Sequence, residues 1–335
     1  MRQERRGFLA CLGKTGLLAL SAGTGAYARA ASTPQLSGKL ARIIVPFGPG
    51  GTADLLARLM SEPLARGLGA SAFAVENRAG AGGAIGALYV KQAAPDGLTL
   101  GLATVSTHAI SPAVMRHPRY DPVKDFTPLS LIAEVPIVLV VSSKSNLKSM
   151  AALLAALKEK NSKPLFFGTP GVGSLSHILG ELFQQETGTT MVHVPYKSSA
   201  EVEQALVAGD ISLTFDNLPN PLPQIRAGRI DMLAVTGKSR NSDFPAVPTF
   251  AELGYQALND PSWFGLVLPA GAPDSLVQAY NACIVQALRT QSIRDKIRML
   301  GGAAAPISST EFGALIRSTY SRAQSVAKAH NIYID

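Results

Sequence analysis

Six short segments concentrate the glycine, hydroxyl and aromatic residues whose chemistry could serve a ligand. The first, residues 46–54, reads Pro-Phe-Gly-Pro-Gly-Gly-Thr-Ala-Asp and separates an apolar run from an amphipathic one. Its prolines and glycines predict a tight turn, with Thr52 as the N-cap of the next helix. Such a turn offers N–H groups and a positive helix end to an anion. One interpretation of Asp54 is that it only stabilises the first helical turn through the helix dipole, and the alternative is that it contacts the ligand.

The second and third segments also follow apolar runs. Residues 77–86 read Asn-Arg-Ala-Gly-Ala-Gly-Gly-Ala-Ile-Gly, and Ile85 stands where the last glycine of a dinucleotide-binding G-x-G-x-x-G belongs. The Gly-Lys-Ser/Thr ending of a nucleotide P-loop is also missing from the first segment. Residues 104–108, Thr-Val-Ser-Thr-His, place three hydroxyls and an imidazole at one strand end. The alternative for them is a helix cap beside a surface histidine.

The fourth segment, residues 168–177, contains Ser174 and His177 and therefore raises the question of nucleophilic catalysis. Ser174 is placed as a helix N-cap. The nucleophile-elbow pattern G-x-S-x-G is absent, and no acidic residue is evidently placed to orient the histidine. We therefore predict a binding segment, and a Ser/His hydrolase is the alternative.

The fifth and sixth segments are residues 194–201 and 215–217. Ser198 and Glu201 match the spacing of a capping box, and Tyr196 and Lys197 precede it, where they could face a cleft. Asp216 lies at the end of a further apolar run, so it places a polar side chain at another strand end.

These loops, on both halves of the chain, predict a cleft lined by N–H groups, hydroxyls and a few rings, which suits a small carboxylate. Its charge would be met mainly by dipoles and hydrogen bonds of about 1–3 kcal/mol each, so capture would be reversible. The five histidines show no metal-ligand spacing, and H-E-x-x-H and C-x-x-C are absent. We therefore predict no metal, no cofactor and no catalytic residue.

Short apolar runs alternating with helical patterns must position these loops. This alternation predicts an α/β fold with parallel-type mixed sheets flanked by helices. In such sheets ligands bind beyond the carboxyl ends of the strands, where the six segments lie. Val135–Val141 reads as one buried strand, and Ser275–Arg289 and Glu311–Ala329 read as helices near the C-terminus.

The first thirty residues predict export. Arg5 and Arg6 precede a short apolar stretch, and Ala28-Arg29-Ala30 resembles a signal-peptidase site, so residues 1–30 read as a twin-arginine-like signal peptide, with an ordinary Sec signal as the alternative. They hold a net +4 of the formal charge of +8, and the remaining basic residues are scattered, which argues against nucleic acid as a partner. The remaining chain keeps one cysteine, Cys283, which we expect to be buried. Its length predicts two lobes.

The ordered set of motifs resembles the substrate-binding proteins of tripartite tricarboxylate transporters, the Bug or TctC-like family. The matching stretches are VPFGPGGTAD (45–54), ENRAGAGGAIGA (76–87), PDGLTLGLATVSTHAISP (95–112), YDPVKDFTPLSLI (120–132), GTPGVGSLSHILGELF (168–183), VPYKSSAE (194–201), LTFDNL (213–218), LAVTGKSR (233–240) and WFGLVLPAGAP (263–273). They cover nearly all of the chain beyond the signal. One departure is that Ser198 and Glu201 stand where the family usually has glycine and proline, so the pocket rim there is expected to differ.

The resemblance implies a two-lobed Venus-flytrap fold of the type II periplasmic binding class. We expect lobe I to comprise residues 31–138 plus 236–335 and lobe II residues 139–235. In the family the ligand's carboxylate is held by the first, third and fourth loops. By position these give Phe47, Gly51, Asp54, Thr104, Ser106, Thr107, Thr169 and Ser174, with Asp216 as a further lining residue. The six segments add Gly48, Thr52, Asn77, His108, Gly168, His177 and Tyr196 as candidates.

The function expected from this resemblance is periplasmic capture of a small carboxylate for a membrane permease, by a monomer without enzymatic activity. A ligand-loaded sensor that touches a receptor kinase is the alternative with the same fold.

Overall fold

The computed structural model describes residues 36–159 and 163–334, so the signal peptide predicted for residues 1–30 lies outside the described residues. The strands are β1 (Leu40–Val45), β2 (Ala72–Asn77), β3 (Thr99–Thr104), β4 (Phe126–Val135), β5 (Ile137–Ser142), β6 (Phe166–Thr169), β7 (Val192–Pro195), β8 (Leu213–Asn217), β9 (Ile230–Val235), β10 (Ser262–Pro269) and β11 (Ala303–Ala304). The helices are α1 (Thr52–Leu68), α2 (Ala84–Lys91), α3 (Ser111–Val114), α4 (Met150–Lys158), α5 (Leu175–Thr187), α6 (Ser199–Ala208), α7 (Leu222–Arg226), α8 (Asp274–Arg289), α9 (Gln291–Met299) and α10 (Ser309–Ala329). A π-helical turn, Ser106–Ile110, precedes α3.

The strands form two mixed sheets. The first sheet has the order β11-β4-β10-β3-β1-β2, and the second has the order β7-β6-β8-β5-β9. β1 pairs in parallel with β2 and β3, and β6 does so with β7 and β8, whereas β10 and β5 run antiparallel to their neighbours. The predicted α/β class with mixed sheets is confirmed.

The chain changes sheet at Pro136 and again between β9 and β10. The prediction of one strand over Val135–Val141 is wrong, because Val135 ends β4 in the first sheet and Ile137 begins β5 in the second. Both strands are buried around this point, so the apolar run continues without the polar alternation that marks a strand end. Proline lacks the N–H that a continuing ladder would need.

Each sheet has its own hydrophobic core. Leu56, Met60 and Leu64 recur at helical spacing on α1 and bury that face against the first sheet. Cys283 of α8 lies in the same core, 9% exposed, and burial raises its pKa to about 11. The expectation of a buried thiol is therefore confirmed.

The helices that follow the strands begin at the carboxyl ends of β1, β6, β7 and β8. Loops of both sheets meet there, because Gly82 packs so closely against the loop that precedes α5 that a Cβ atom on it would lie 2.6 Å from the Val172 carbonyl oxygen. The fold thus brings helix starts from both halves to one place. In the part of the chain that the structure describes, no helix has the length and apolar character needed to cross a membrane.

Candidate ligand site

A polar cavity of about 40 Å³ lies between the loops of the two sheets. Its walls come from both: Phe47, Gly48, Gly51, Thr52, Ala53, Thr104, Ser106, Pro170, Leu175, Ser176, Ser199, Asp216, Asn217, Asn220, Ser262 and Phe264. None of these residues is basic, so hydroxyls, amides and helix starts define the chemistry of the cavity. At least 10–15 Å³ is needed for one water molecule, so this volume takes about three water-sized groups.

Asp54 holds the first loop in shape from beneath. Its carboxylate accepts hydrogen bonds from Gly50 N (3.1 Å), Arg58 Nε (2.9 Å) and Asn77 Nδ2 (3.0 Å). Burial alone would raise the pKa of Asp54, but these hydrogen bonds and the Arg58 charge outweigh it and keep the pKa below its usual value. Asn77 also donates to Phe47 O at 3.0 Å. Asp54 and Asn77 therefore position the loop and do not line the cavity.

Asn220 connects the two halves across the cavity. Its Oδ1 accepts hydrogen bonds from both the backbone N and the Oγ1 of Thr52, each at 2.7 Å. The N-cap of α1 is Gly51, and the prediction that Thr52 is the cap is wrong, because its hydroxyl bonds across the cleft to Asn220. A second bond between the halves runs from Leu175 N to Ser106 Oγ at 3.0 Å.

Asp216 is a buried carboxyl in the wall of the cavity, 2% exposed. Its Oδ1 accepts hydrogen bonds from Asn217 N (2.7 Å), Asn220 Nδ2 (2.7 Å) and Ser199 Oγ (3.3 Å). Its Oδ2 is buried without a hydrogen-bond partner among the described residues. Burial raises the pKa of Asp216 to about 6, although the three donors oppose the shift. The group therefore titrates close to neutral pH.

The residues around the third loop form a tight network behind the cavity. Thr104 N donates to Thr107 Oγ1 at 3.1 Å, and Tyr120 donates its hydroxyl to Thr107 O at 2.6 Å. His108 bonds to Thr107 Oγ1 through Nδ1 at 2.9 Å and is 2% exposed, so the interpretation as a surface histidine is wrong. Burial lowers the pKa of His108 to about 3. Thr104 reaches the cavity, while Thr107 and His108 support it from behind.

Ser174 and His177 have structural contacts that do not fit a nucleophile and its base. The Ser174 Oγ accepts a hydrogen bond from His177 N at 3.3 Å, which confirms the N-cap, and the His177 ring accepts from Gly173 N at 3.2 Å. The imidazole thus makes no bond to the Ser174 hydroxyl, as a general base would. Beside it, the His177 and His193 rings stack at 4.1 Å, and His193 Nε2 bonds to Thr169 Oγ1 at 2.7 Å.

The fifth loop lies at one side of the cavity. Ser198 caps α6 by accepting from Glu201 N at 3.3 Å, but the Glu201 carboxylate reaches Lys197 N, so the predicted capping box is only half formed. Tyr196 N donates to Thr169 O at 2.8 Å, and the Tyr196 ring lies close to Gly168. Neither Tyr196 nor Gly168 lines the cavity.

The structure thus brings seven predicted residues together in the cavity wall: Phe47, Gly48, Gly51, Thr52, Thr104, Ser106 and Asp216. The other candidates lie beneath, behind or beside it: Asp54, Asn77, Thr107, His108, Gly168, Thr169, Ser174, His177 and Tyr196. Sequence reasoning missed Asn220, Ser199 and Ser262. A polar residue just after the sixth segment was the signal for Asn220, whereas Ser262 precedes a strand and carries no local signal.

The helices α1, α5 and α6 all begin at this cavity, the first from one sheet and the other two from the second. Their N-terminal N–H groups and dipoles create a positive potential there without a cationic side chain. The cavity can therefore bind an anionic group between the two halves.

A two-lobed fold with a ligand cavity between its lobes is the architecture of the periplasmic solute-binding proteins. Residues 56–332 match the model of the tripartite tricarboxylate transporter family receptor, and the chain belongs to that family. The family comprises periplasmic solute-binding proteins that work with a membrane transporter. Neither the sensor-kinase partner nor the hydrolase is favoured by these relatives.

Individual relatives support the same family. The chain is 36% identical to protein BugT of Bordetella pertussis over 270 residues, which is 80% of this chain and 82% of that protein. It is similar to the structure of a periplasmic transporter, with a TM-score of 0.85, 41% identity and coverage of 89% of this chain and 99% of that one. It is also similar to R. palustris Rpa4515 with adipate, with a TM-score of 0.83, 35% identity and coverage of 88% and 98%.

Proposed function

We propose that this chain captures a small carboxylate-bearing metabolite between its lobes and delivers it to a tripartite tricarboxylate-type transporter. The observation that carries the proposal is the meeting of three helix N-termini from both sheets at one cavity whose lining has no basic side chain. Helix starts and hydroxyls hold an anion by hydrogen bonds that can be exchanged for water, which suits release to a permease. The adipate of the similar Rpa4515 structure supports a carboxylate as cargo.

The proposal includes further features that the sequence predicts. The lobes comprise residues 31–138 plus 236–335 and residues 139–235, and the change of sheet at Pro136 and after β9 supports crossovers near these limits. The mature chain begins after cleavage near Ala30, acts as a monomer in the periplasm and performs no chemistry on its cargo. The missing bond between the Ser174 hydroxyl and the His177 ring supports the last point.

A thermal-shift experiment with adipate, malate and dimethyl adipate tests the carboxylate role. A ligand at 100 times its dissociation constant adds about 2.7 kcal/mol of stability, so a bound acid raises the melting temperature by several degrees. The uncharged diester, which has the same chain length as adipate, should not raise the melting temperature. If neither acid nor any other small carboxylate of a wider panel raises the melting temperature, or if the diester does so equally, the proposal is wrong.

A pair of serine variants locates the binding. Ser176 lines the cavity in the first turn of α5, whereas Ser318 lies on the exposed side of α10. A hydrogen bond to a charged partner contributes about 1.5–3 kcal/mol, so Ser176→Ala should weaken binding of the acid about tenfold or more. Ser318→Ala should leave it unchanged, and equal affinities in both variants would place the ligand elsewhere.

A further inference from the structure

A second and much larger cavity, about 510 Å³, lies between α5 and α10. Its walls are mainly apolar and come from both sheets: Leu175, Ile178 and Leu182 belong to α5, Ala323 and Val326 to α10, and Trp263 to β10. Pockets of about 300–1,000 Å³ with apolar walls are the size that encloses small organic ligands. This cavity therefore has room for an apolar molecule, whereas the polar cavity does not.

The two cavities share a wall. Leu175 and Ser262 line both of them, and the next residues of β10 divide between them, since Trp263 lines the apolar cavity and Phe264 the polar one. Side chains alternate between the faces of a strand, so β10 separates the cavities by the thickness of one residue. Leu175 is the other part of the partition. Its backbone is fixed by the bond to Ser106, and its half-buried side chain packs against the cores on either side of the partition.

The charged residues in the wall of the apolar cavity, Arg322, Asp260 and Glu134, are all exposed. Arg322 and Asp260 form an ion pair of 2.9 Å. Glu134 adds a carboxylate, which repels the carboxylate of a ligand from this cavity. The interior thus suits an uncharged apolar body, while the helix starts in the neighbouring cavity suit a carboxylate.

We propose that the two cavities form one composite site, and that the preferred ligand is a carboxylate with an apolar body about as large as a phenyl ring on a short chain. The carboxylate lies in the polar cavity among the helix starts. The body passes Leu175, whose side chain turns aside, and packs against Trp263 and α10. This inference rests on the proposed function and names the substrate class of the same site.

The test compares butyrate, 4-phenylbutyrate and the uncharged 4-phenylbutan-1-ol by calorimetry, together with the fluorescence of Trp263. That residue is the single tryptophan of the chain, so its emission reports directly on the apolar cavity. Burial of each methylene-sized group strengthens binding about fourfold. We expect 4-phenylbutyrate to bind at least tenfold tighter than butyrate and to change the emission, and the alcohol to bind at least tenfold more weakly than the acid.

Two variants on one helix provide the matched control. Ala323 is 7% exposed and lines the apolar cavity, whereas Ala314 is exposed on the other side of α10. Ala323→Leu should weaken 4-phenylbutyrate at least tenfold while adipate still raises the melting temperature, and Ala314→Leu should behave like the unaltered protein. If Ala323→Leu does not fold, Leu175→Ala tests the passage instead, since it should speed association of 4-phenylbutyrate several-fold more than association of butyrate.

The outcomes separate this inference from the proposed function. Equal binding of the acid and the alcohol would show an independent apolar site and overturn the composite site. Binding of adipate without any gain from the phenyl group would also overturn it, while leaving the carboxylate role intact. Failure of every carboxylate would end both.

Discussion

Replacing Asn220 with alanine should open the cleft, because this side chain joins the two lobes by two hydrogen bonds. Its Oδ1 accepts both from Thr52 at 2.7 Å, whereas its Nδ2 donates to Asp216 of the same lobe, a bond that does not change when the lobes part. A neutral hydrogen bond contributes about 0.5–1.5 kcal/mol net. Asn220→Ala should therefore cost the closed arrangement about 1–3 kcal/mol.

The cost of losing the two bonds to Thr52 falls on closure and not on folding. When the lobes part, water reaches the Thr52 N–H and hydroxyl, so the open arrangement has no unsatisfied donor. A difference of about 1–3 kcal/mol changes the ratio of closed to open molecules by about 5-fold to 150-fold. The ligand binds between closed lobes on the proposed function, so its apparent affinity should fall by a similar factor.

Small-angle scattering and calorimetry check this prediction. Asn220→Ala should have a larger radius of gyration than the unaltered protein and should bind its carboxylate at least about tenfold more weakly. The control is Asn281→Ala, since Asn281 Nδ2 of α8 donates to Leu129 O of β4 (2.8 Å) and to Ile307 O (2.9 Å), so these bonds do not cross the cleft. That variant should lose stability without opening. Identical scattering and affinity for both variants would refute the reasoning.

Three further predictions concern closure and charge. Gly82→Ala places a Cβ 2.6 Å from Val172 O at a φ of +60°, so calorimetry should show weakened ligand binding through impaired closure. Asp216→Asn removes a buried carboxyl whose pKa of about 6 in the folded protein exceeds the value of 3.8 in the unfolded chain. The negative charge of this buried carboxylate lowers stability above pH 6, whereas below pH 3.8 the group is neutral in both states and has no such cost. Urea unfolding should therefore show the variant about 2–3 kcal/mol more stable at pH 7.5 and equally stable at pH 3.5. In that same variant the free energy of unfolding should fall as the pH drops from 6.5 to 4. Burial lowers the pKa of His108 to about 3 and that of His193 to about 4, so these histidines take up protons in the unfolded chain at a higher pH than in the folded chain. A free energy of unfolding that does not change over this pH range would contradict the prediction.

The regular elements were predictable because their signals are local. The spacing of Leu56, Met60 and Leu64 indicates α1, and the predicted helices Ser275–Arg289 and Glu311–Ala329 agree with α8 and α10 within about two residues. The failure at Val135–Val141 has a physical cause. A residue buried in one sheet has the same apolar character as a residue buried in the other, so hydrophobicity along the chain does not mark where it changes sheet.

The candidate site was predictable only where its residues belong to helix-start loops. Glycine and hydroxyl residues after β1 and β3 indicate Gly51, Thr104 and Ser106, which reach the cavity. Thr52 was interpreted as a cap because the residue that binds its hydroxyl, Asn220, lies 168 positions later. Contacts between lobes depend on how the two halves meet, and this information is absent from any local pattern.

The charges around the cavity explain how such a site can hold an anion and still release it. Neither of the two basic residues in the predicted loops lines the cavity. Arg78 stacks on the Tyr89 ring at 3.7 Å and pairs with Glu76, and Lys197 is not part of the cavity wall. The donors left to a carboxylate include the hydroxyls of Ser176 and Ser262 in the wall, while the N–H and hydroxyl of Thr52 stay bonded to Asn220. On the proposed function, the ligand and the Asn220 bonds therefore support closure together. Departure of the ligand leaves neither an unpaired cation nor an unsatisfied donor, so the energy that opposes release stays small.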